Sequence, residues 1–321
     1  MRTALVLGAG GFVGQAYHLG ALCALQEATG FDGRAVDTLV GTSAGSLVAA
    51  GLAGGLSAAD LTAELLGEPL SREGSAIRLA RRPAASMSVA KPPGIRGALG
   101  PLDPAVLLSV ARRPLAVRPA AVLSALLPAG RTATEPLARG VRYLHGDTWP
   151  ARDLRICAVR VRDARRVVFG APGEPETDVG TAVAASCAIP AYFTPVRIDG
   201  QSYVDGGVHS PTNADVLVAD VPELVVVISP MSVGPAPGPR VDLAVRLAVR
   251  RYLAREVRQL RRRGAQVVVV QPGPRDLDVM GINPMRGSRI DEVVRTASES
   301  VLARLEAQPG LVALLSQAAQ A

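Results

Sequence analysis

The sequence predicts an α/β protein of three layers, in which helices cover both faces of a mostly parallel central sheet. In the first sixty residues, strands at 3–8 and 37–41 alternate with helices at 15–28 and from Ala44 onward. Further along, "ELVVVISP" and "AQVVVVQP" are continuous β-branched runs, which is typical of strands that are fully buried. Together these patterns favour parallel strands joined by helical crossovers.

The length of 321 residues is compatible with one large α/β domain. We expect the core of that domain at about 1–67 and 151–321. Between them, residues of about 68–150 are rich in Pro, Arg and Gly and carry short apolar helical pieces around 106–110 and 122–127. This segment is interpreted as an inserted cap or lid.

The second half of the chain supplies the remaining predicted elements. "LRICAVRV" and "RRVVFG" predict strands, "VGTAVAASCAI" predicts a helix of small residues, and "PVRIDGQSYVDGG" predicts a hairpin with an Asp-Gly turn. Helices are expected at about 243–263, 290–307 and 311–320.

The charge balance bears on the partners. The chain carries a net charge of +7, and only 3% of its residues are aromatic. A surplus of cations favours contact with an anionic lipid surface, whereas scarce stacking residues argue against nucleic acid. The arginine-rich helix at 243–263 is interpreted as a solvated face or as a surface for anionic headgroups.

Three cysteines, Cys23, Cys157 and Cys187, form no CxxC pair, so we expect reduced, buried thiols in a cytoplasmic protein. No uninterrupted apolar run reaches the roughly 18 residues of a membrane span. We also expect no secretion signal, no metal and no cofactor, because no His, Cys and carboxylate cluster has the spacing of a ligand set.

The glycine-rich stretch "LGAGGFVGQ" has two interpretations. Read as G-x-x-G-x-x-G on Gly8, Gly11 and Gly14, it resembles a dinucleotide turn. Read as a loop of backbone N–H donors, it suits the oxyanion of an ester under attack. Other groups in the chain must decide between these two.

The run Gly41-Thr42-Ser43-Ala44-Gly45 is a G-x-S-x-G motif between a strand and a helix, which is the context of a nucleophile elbow. Gly41 and Gly45 would allow the sharp turn that exposes the Ser43 hydroxyl. The alternative is a plain turn in which Ser43 caps the helix.

A serine nucleophile needs a base, and the chain offers three histidines. His18 lies inside the first predicted helix, where a packing or surface role is expected. His145 ends the inserted segment, and His209 follows Asp205 by four residues. None stands in a triad pattern.

The motifs "GAGGFVG", "GTSAG", "ASCAIPAYFTPV" and "VDGG", in this order, resemble those of the patatin-like phospholipases. The resemblance covers most of the chain except 68–150. It implies lipid acyl hydrolysis by a Ser–Asp dyad without a catalytic histidine.

Position by position, the resemblance implies Ser43 as nucleophile and Asp205 as its base, with the amides of Gly10 and Gly11 as the oxyanion hole. It also implies that Gly206 and Gly207 support the Asp205 turn. We expect the pocket to raise the pKa of Asp205 by desolvation, since an ordinary carboxylate is a weak base toward serine.

The glycine loop departs from the family pattern at two positions. Ala9 replaces a glycine, and Val13 stands where a basic residue is usual. Backbone donors survive both changes, but the loop geometry and the help of a nearby cation are then in question.

Three further residues have two interpretations each. Asn213 either orients the loop of Asp205 or caps a helix. Tyr192 and Phe193 either form an apolar wall for an acyl chain or pack in the core.

Two rival functions remain. A catalytically silent lipid- or acyl-binding protein is motivated by the altered loop. An NAD(P)-binding oxidoreductase would use Asp32 or Asp37 for the ribose. It lacks the Tyr-x-x-x-Lys pair, because the single lysine, Lys91, follows Met87 at that spacing.

Overall fold

The computed structural model describes residues 1–80, 130, 132–235 and 238–320. In this part of the chain an eight-stranded sheet has the order β5-β6-β3-β2-β1-β7-β8, and β4 pairs with β3. The strands are β1 (Thr3–Leu7), β2 (Thr38–Thr42), β3 (Asp153–Arg160), β4 (Arg165–Phe169), β5 (Val196–Ile198), β6 (Gln201–Asp205), β7 (Leu224–Ile228) and β8 (Gln266–Val270). Strands β1, β2, β3, β7 and β8 are parallel, while β4, β5 and β6 form antiparallel pairs, so the predicted mostly parallel sheet is confirmed.

Helices cover both faces of the sheet. The α-helices of the described residues are α1 (Gly11–Thr29), α2 (Ala44–Ala53), α3 (Ala58–Leu66), α4 (Arg72–Ala80), α5 (Glu135–His145), α6 (Val179–Ser186), α7 (Leu243–Arg262), α8 (Pro274–Met280), α9 (Ile290–Glu306) and α10 (Pro309–Ala319). Successive strand residues point to opposite faces. Leu5 and Leu7 therefore pack with α1, α2 and α9, whereas Ala4 and Val6 pack with α7. The three-layer prediction is confirmed.

Helix α1 begins at Gly11, four residues before the predicted start. The Gly14 N–H already donates to the Gly10 carbonyl at 2.8 Å, so most of the glycine stretch forms the first helical turn. Gly20, in the middle of α1, lies against α9, where an added Cβ would stand 2.2 Å from the Val294 oxygen. Small residues thus let α1 pack directly on its neighbour.

The hairpin of β5 and β6 has the predicted two-residue turn. Asp199 and Gly200 have φ angles of 46° and 74°, and Ile198 pairs directly with Gln201. Positive φ at both turn residues is what a type I′ turn requires. The "IDGQ" prediction is confirmed.

Strand β8 corrects the prediction of a fully buried strand, because it lies at the end of the sheet. Its Gln266 is exposed and its Val269 is half-buried, whereas β7 is buried throughout. On the free edge, the carbonyls of Val267 and Val269 accept hydrogen bonds from Arg261 (3.0 Å) and Arg304 (2.6 Å). These charged side chains occupy an edge that would otherwise be open to another strand.

Parts of the predicted insertion at 68–150 are described. Helix α5 buries Ala138, Val141 and Leu144, and Val141 joins the main core. The helical pieces predicted around 106–110 and 122–127 lie outside the described residues. The boundaries of a cap therefore stay a prediction. Among the described residues, no helix combines the length and the apolar character needed to cross a membrane.

Candidate active site

The ends of β2 and β6 meet on one edge of β3. Thr42, the last residue of β2, pairs with Cys157, and Asp205, the last residue of β6, pairs with Ala158. Strand β4 occupies the opposite edge at the same level. Because β2 is parallel and β6 antiparallel to β3, the two strands run toward each other. Ser43, which follows Thr42, is thereby brought to Asp205.

The backbone at Ser43 is strained in the way an elbow requires. Ser43 has φ 53° and ψ −123°, a conformation that is costly for a residue with a side chain. A Cβ on Gly41 would lie 2.5 Å from the Ser46 Cα, and one on Gly45 would lie 2.0 Å from the Leu7 oxygen. Only glycine fits at these two positions. The turn has the conformation predicted for an elbow, and Ser43 makes no side-chain capping bond to α2.

Two buried serines hold Ser43 in this conformation. The Ser43 N–H donates to Ser186 Oγ at 2.9 Å, and Ser186 Oγ donates to the Cys157 carbonyl at 2.6 Å. The Ser46 hydroxyl donates to the Ser43 carbonyl at 2.6 Å. No sequence signal marks Ser186, since its contact comes from packing α6 against β3.

The carboxyl group of Asp205 is buried, with 5% of the residue exposed. Burial raises its pKa from 3.8 to about 6, although the Ser43 hydroxyl and the Gly207 N–H oppose the rise by hydrogen bonding to the carboxylate. The Gly207 N–H lies 2.7 Å from Oδ1. Asp205 is therefore ionised at neutral pH yet a stronger base than an exposed aspartate, as the sequence predicts.

The glycine loop leaves two amides available, and Gly11, which carries one of them, lines the same cavity as Ser43. The Ala9 N–H donates to the Pro211 carbonyl at 2.7 Å. The N–H groups of Gly10 and Gly11 have no acceptor within the described part of the chain. Gly11 adopts φ 62°, and its Cβ would lie 2.5 Å from the Pro284 oxygen, so the position demands glycine.

The structure shows the surroundings of Ala9 and Val13, the two positions at which the glycine loop departs from the family pattern. The Ala9 N–H is engaged by the Pro211 carbonyl, so this amide is not among the free donors of the loop. Val13 is buried in the first turn of α1, and its N–H donates to the Pro284 carbonyl at 3.1 Å. An apolar side chain at this position packs where a cation would have to be desolvated.

A small apolar cavity of about 30 Å³ opens beside Ser43. Its lining is Gly11, Phe12, Gln15, Ser43, Ala44, Leu47, Leu137, Cys187, Ile189, Phe193 and Met285. Phe193 thus forms part of the wall. Tyr192 stands behind it, with ring centroids 4.7 Å apart.

Asn213 joins the two strand ends. Its side-chain amide donates to Thr42 Oγ1 at 3.1 Å and to the Gly206 carbonyl at 3.2 Å. It makes no helix-capping bond, so the orienting interpretation fits the structure. A Cβ on Gly206 would lie 2.2 Å from the Cys157 oxygen, and one on Gly207 would lie 3.0 Å from Asp205 Oδ1.

The side chains of two histidines bind backbone carbonyls. The buried His18 donates from Nε2 to the Gly8 carbonyl at 2.7 Å, and desolvation lowers its pKa to about 4. His145 Nε2 lies 2.8 Å from the Ala50 carbonyl. The His209 N–H donates to the Gly206 carbonyl at 3.0 Å. His18 thereby anchors the residue that begins the glycine loop.

The carboxylates considered for a ribose have other partners. Asp37 accepts from the Thr3 N–H at 2.6 Å, and Asp32 forms an ion pair with Arg34 at 2.7 Å.

Among the described residues, no three His, Cys, Asp or Glu side chains gather as metal ligands. All three cysteines are free thiols, of which Cys157 and Cys187 are buried as predicted, whereas Cys23 is only half-buried.

Several bacterial proteins of known structure are similar to this chain. The chain is similar to VipD from Legionella pneumophila at 15% identity, covering 95% of this chain and 67% of that one, with a TM-score of 0.44. It is also similar to the type III effector ExoU (19% identity, TM-score 0.36, 96% of this chain and 53% of that one). The match to ExoU in the ExoU–SpcU complex of Pseudomonas aeruginosa has 21% identity and a TM-score of 0.36, covering 96% and 52%. The chain thus spans about half the length of the ExoU chains.

Curated proteins give no match to the chain. The family model described as patatin-like phospholipase matches residues 5–218, from β1 through the Asp205 turn to the end of the short 3₁₀ helix Ala214–Val218. That range exceeds half of the chain and includes Gly10, Ser43 and Asp205. The protein therefore belongs to the patatin-like phospholipase family.

Proposed function

We propose that this protein is a serine acyl hydrolase that cleaves carboxylic ester bonds of lipids through Ser43 and Asp205. The observation that carries this proposal is that a strained serine, which lines an apolar cavity, is hydrogen-bonded to a buried, basic carboxylate. The two free amides of the glycine loop complete the arrangement. Phospholipids, lysophospholipids and simpler lipid esters share the bond that such a site attacks.

The proposed reaction has two steps through a covalent acyl-enzyme. Asp205 accepts the Ser43 proton while Oγ attacks the ester carbonyl, and the resulting oxyanion accepts hydrogen bonds from Gly10 and Gly11. The intermediate collapses, the C–O bond breaks, and the departing alcohol takes the proton from Asp205. Water then attacks the acyl-enzyme in the same way and releases the acid. Each oxyanion donor is typically worth about 2.7–4 kcal/mol of transition-state stabilisation.

The cavity sets a condition on the substrate. At about 30 Å³ the cavity is far smaller than the roughly 300–1,000 Å³ of ordinary ligand pockets, so an acyl chain must displace part of the lining. Met285 is suited to this movement because its side chain is unbranched and adapts its shape. The apolar lining favours a fatty acyl group over a polar one.

A fluorophosphonate probe tests the chemistry directly. Wild-type protein is expected to be labelled, Ser43→Ala to lose the label, and Asp205→Asn to react at least tenfold more slowly. Ser75→Ala, at an exposed serine of α4, is the matched control and keeps the label. Folded protein that retains lipid but is never labelled would favour a silent lipid-binding protein. Stabilisation by NADPH without labelling would favour an oxidoreductase.

The proposed contact with an anionic membrane is supported by the outer face of α7. Arg251, Arg255, Arg258 and Arg262 are exposed and follow one another at helical spacing, so they form a single stripe. Among the described residues, none of the four has a carboxylate within ion-pair distance, although arginines elsewhere are paired. Each such charge contributes about 1 kcal/mol near an anionic bilayer.

Vesicle sedimentation measures this contact separately from hydrolysis. Binding to vesicles of phosphatidylglycerol and phosphatidylcholine is expected to exceed binding to phosphatidylcholine alone and to weaken in 0.5 M salt. Replacing the four stripe arginines with Gln should lower binding by at least a hundredfold. The matched control removes as many exposed arginines elsewhere, at Arg72, Arg139, Arg162 and Arg295. Equal losses in both variants would refute a role for the stripe.

A further inference from the structure

One short segment contacts three parts of the proposed active site at once. This segment, 210–214, has the sequence Ser-Pro-Thr-Asn-Ala. The Pro211 carbonyl accepts the Ala9 N–H of the glycine loop at 2.7 Å. The Asn213 amide reaches both the end of β2 and the turn after Asp205, through Thr42 and Gly206. The relative position of nucleophile, base and oxyanion loop therefore depends on where the 210–214 segment lies.

A single carboxylate on α7 holds this segment. Glu256 Oε1 accepts a hydrogen bond from the Ser210 hydroxyl at 2.5 Å. Its Oε2 accepts from the Thr212 hydroxyl at 2.6 Å and from the Ala214 N–H at 3.1 Å. Three donors from one segment thus converge on one side chain.

The surroundings of Glu256 are those of a core position. The residue is 3% exposed, and around it the buried face of α7 is formed by the apolar residues Val249, Leu253, Val257 and Leu260; the buried Arg246 lies near the start of the helix, where it pairs with Asp242. Burial and the charge of Asp215 raise the pKa of Glu256, while the three donors from the segment lower it. A carboxyl group is costly to bury, and an apolar residue would satisfy the helix packing alone. The cost of burying this carboxylate is explained if it fixes the 210–214 segment in a position that the active site requires.

The orientation of the Asn213 side chain is fixed by its backbone conformation and by a hydrogen bond from Arg166. Its backbone has φ 53°, a left-handed conformation that Asn tolerates, which turns its side chain back toward the strand ends. Its Oδ1 accepts from Arg166 at 3.2 Å, so both ends of the amide are bonded and its orientation is fixed. Arg166 also pairs with Asp215, one residue beyond the segment.

We propose that Glu256 is a positioning residue, which fixes the 210–214 segment and thereby sets the geometry among Ser43, Asp205 and the amides of Gly10 and Gly11. This inference rests on the proposed hydrolase function for its kinetic consequences. The cavity beside Ser43 is not lined by this segment. Loss of Glu256 should therefore impair turnover far more than substrate binding.

The kinetic test uses Glu256→Gln, which keeps the size of the side chain but replaces one acceptor oxygen with a donor. On a short-chain p-nitrophenyl ester, kcat is expected to fall at least tenfold while KM changes less than twofold. Water admitted beside Asp205 should move the acidic inflection of kcat/KM below its wild-type position near pH 6. A purely structural role would not move that inflection.

Leu253→Ala is the matched control, since it destabilises the same buried face of α7 but removes none of the hydrogen bonds that Glu256 makes to the segment. It should lower the thermal midpoint yet keep kcat and the inflection at temperatures where it is folded. If Glu256→Gln does not fold, Thr212→Val removes one donor and should give a smaller change of the same kind. The proposal would be overturned if folded Glu256→Gln kept the kcat and the inflection of wild type. It would also be overturned if Leu253→Ala lost as much kcat as Glu256→Gln.

Hydrogen exchange separates this proposal from the hydrolase function. In Glu256→Gln or Thr212→Val, peptides over 8–14 and 205–216 should exchange at least tenfold faster, whereas those of β7 should not change. This readout needs no activity, so absence of Ser43 labelling would sink the proposed function and leave the positioning role testable. Unaltered exchange over both peptides would sink the positioning role itself.

Discussion

Asp205→Asn should gain stability relative to wild type as the pH rises through the range in which Asp205 becomes charged. Burial raises the pKa of this carboxyl from 3.8 to about 6. At 1.36 kcal/mol for each pKa unit, the rise corresponds to about 3 kcal/mol. The raised pKa means that the folded state holds the proton more tightly than the unfolded state. The contribution of the Asp205 carboxyl group to stability is complete below pH 4 and is lost as the pH rises to about 6.

Urea unfolding of both proteins between pH 4 and pH 8 measures this effect, with the single tryptophan, Trp149, as the probe. The free energy of unfolding of Asp205→Asn, relative to wild type, should grow by about 3 kcal/mol between pH 4 and pH 6 and stay level above. Other titrating groups are present in both proteins and cancel in the difference. The substitution also removes some interactions to the same extent at every pH. Their loss adds a constant to the difference in unfolding free energy and leaves its pH dependence unaltered.

The kinetic counterpart is a fall of wild-type kcat/KM by about tenfold for each pH unit below the pKa of Asp205. A stability difference that stays constant from pH 4 to pH 8 would refute the burial of a charged Asp205. An activity profile without an inflection near pH 6 would refute its role as the base.

Three further changes have expected outcomes. Gly45→Ala places a Cβ 2.0 Å from the Leu7 oxygen and should lower the free energy of unfolding, measured by thermal unfolding, by about 3 kcal/mol or more. The control Gly140→Ala in α5 meets nothing within 4 Å and should be neutral or stabilising. Through His18, wild type should lose about 3 kcal/mol of stability as the pH falls from 6.5 to about 4, and His18→Gln should not show this loss. Parallel curves of unfolding free energy against pH for the two proteins would contradict this. Replacing both Arg261 and Arg304 with Ala uncovers the carbonyls of the β8 edge and should produce dimers or larger species in size-exclusion chromatography; a monomer fraction equal to that of wild type would contradict it.

The parts of the site that local sequence predicts are those where a turn needs a special residue. Gly41 and Gly45 flank Ser43 because any side chain there would clash, and that need is written in five consecutive residues. The turn at Asp199 and Gly200 is equally local. Backbone conformations of this kind leave a pattern that can be recognised without knowing what lies opposite.

The supporting residues could not be predicted, because their partners are distant in sequence. Ser186 looks like one more small residue in a helix, yet it donates to Cys157 and accepts from Ser43. Glu256 reads as one acid in an arginine-rich helix, and only the packing of α7 turns it inward. The edge position of β8 was likewise hidden, since its β-branched run matches that of the buried β7.

His18 and Asp205 titrate with opposite effects on stability over the same pH range. The pKa of His18 is lowered from 6.5 to about 4, so its contribution is complete above pH 6.5 and is lost as the pH falls toward 4. The contribution of Asp205 grows over almost the same interval. The two changes are each about 3 kcal/mol and nearly cancel, so the folded state should persist between pH 4 and pH 6 as far as these groups decide it. Activity has no such compensation, because in the proposed mechanism only the charged form of Asp205 can take the Ser43 proton. Acid should therefore silence the site while the protein stays folded, and activity should return when the pH is raised again.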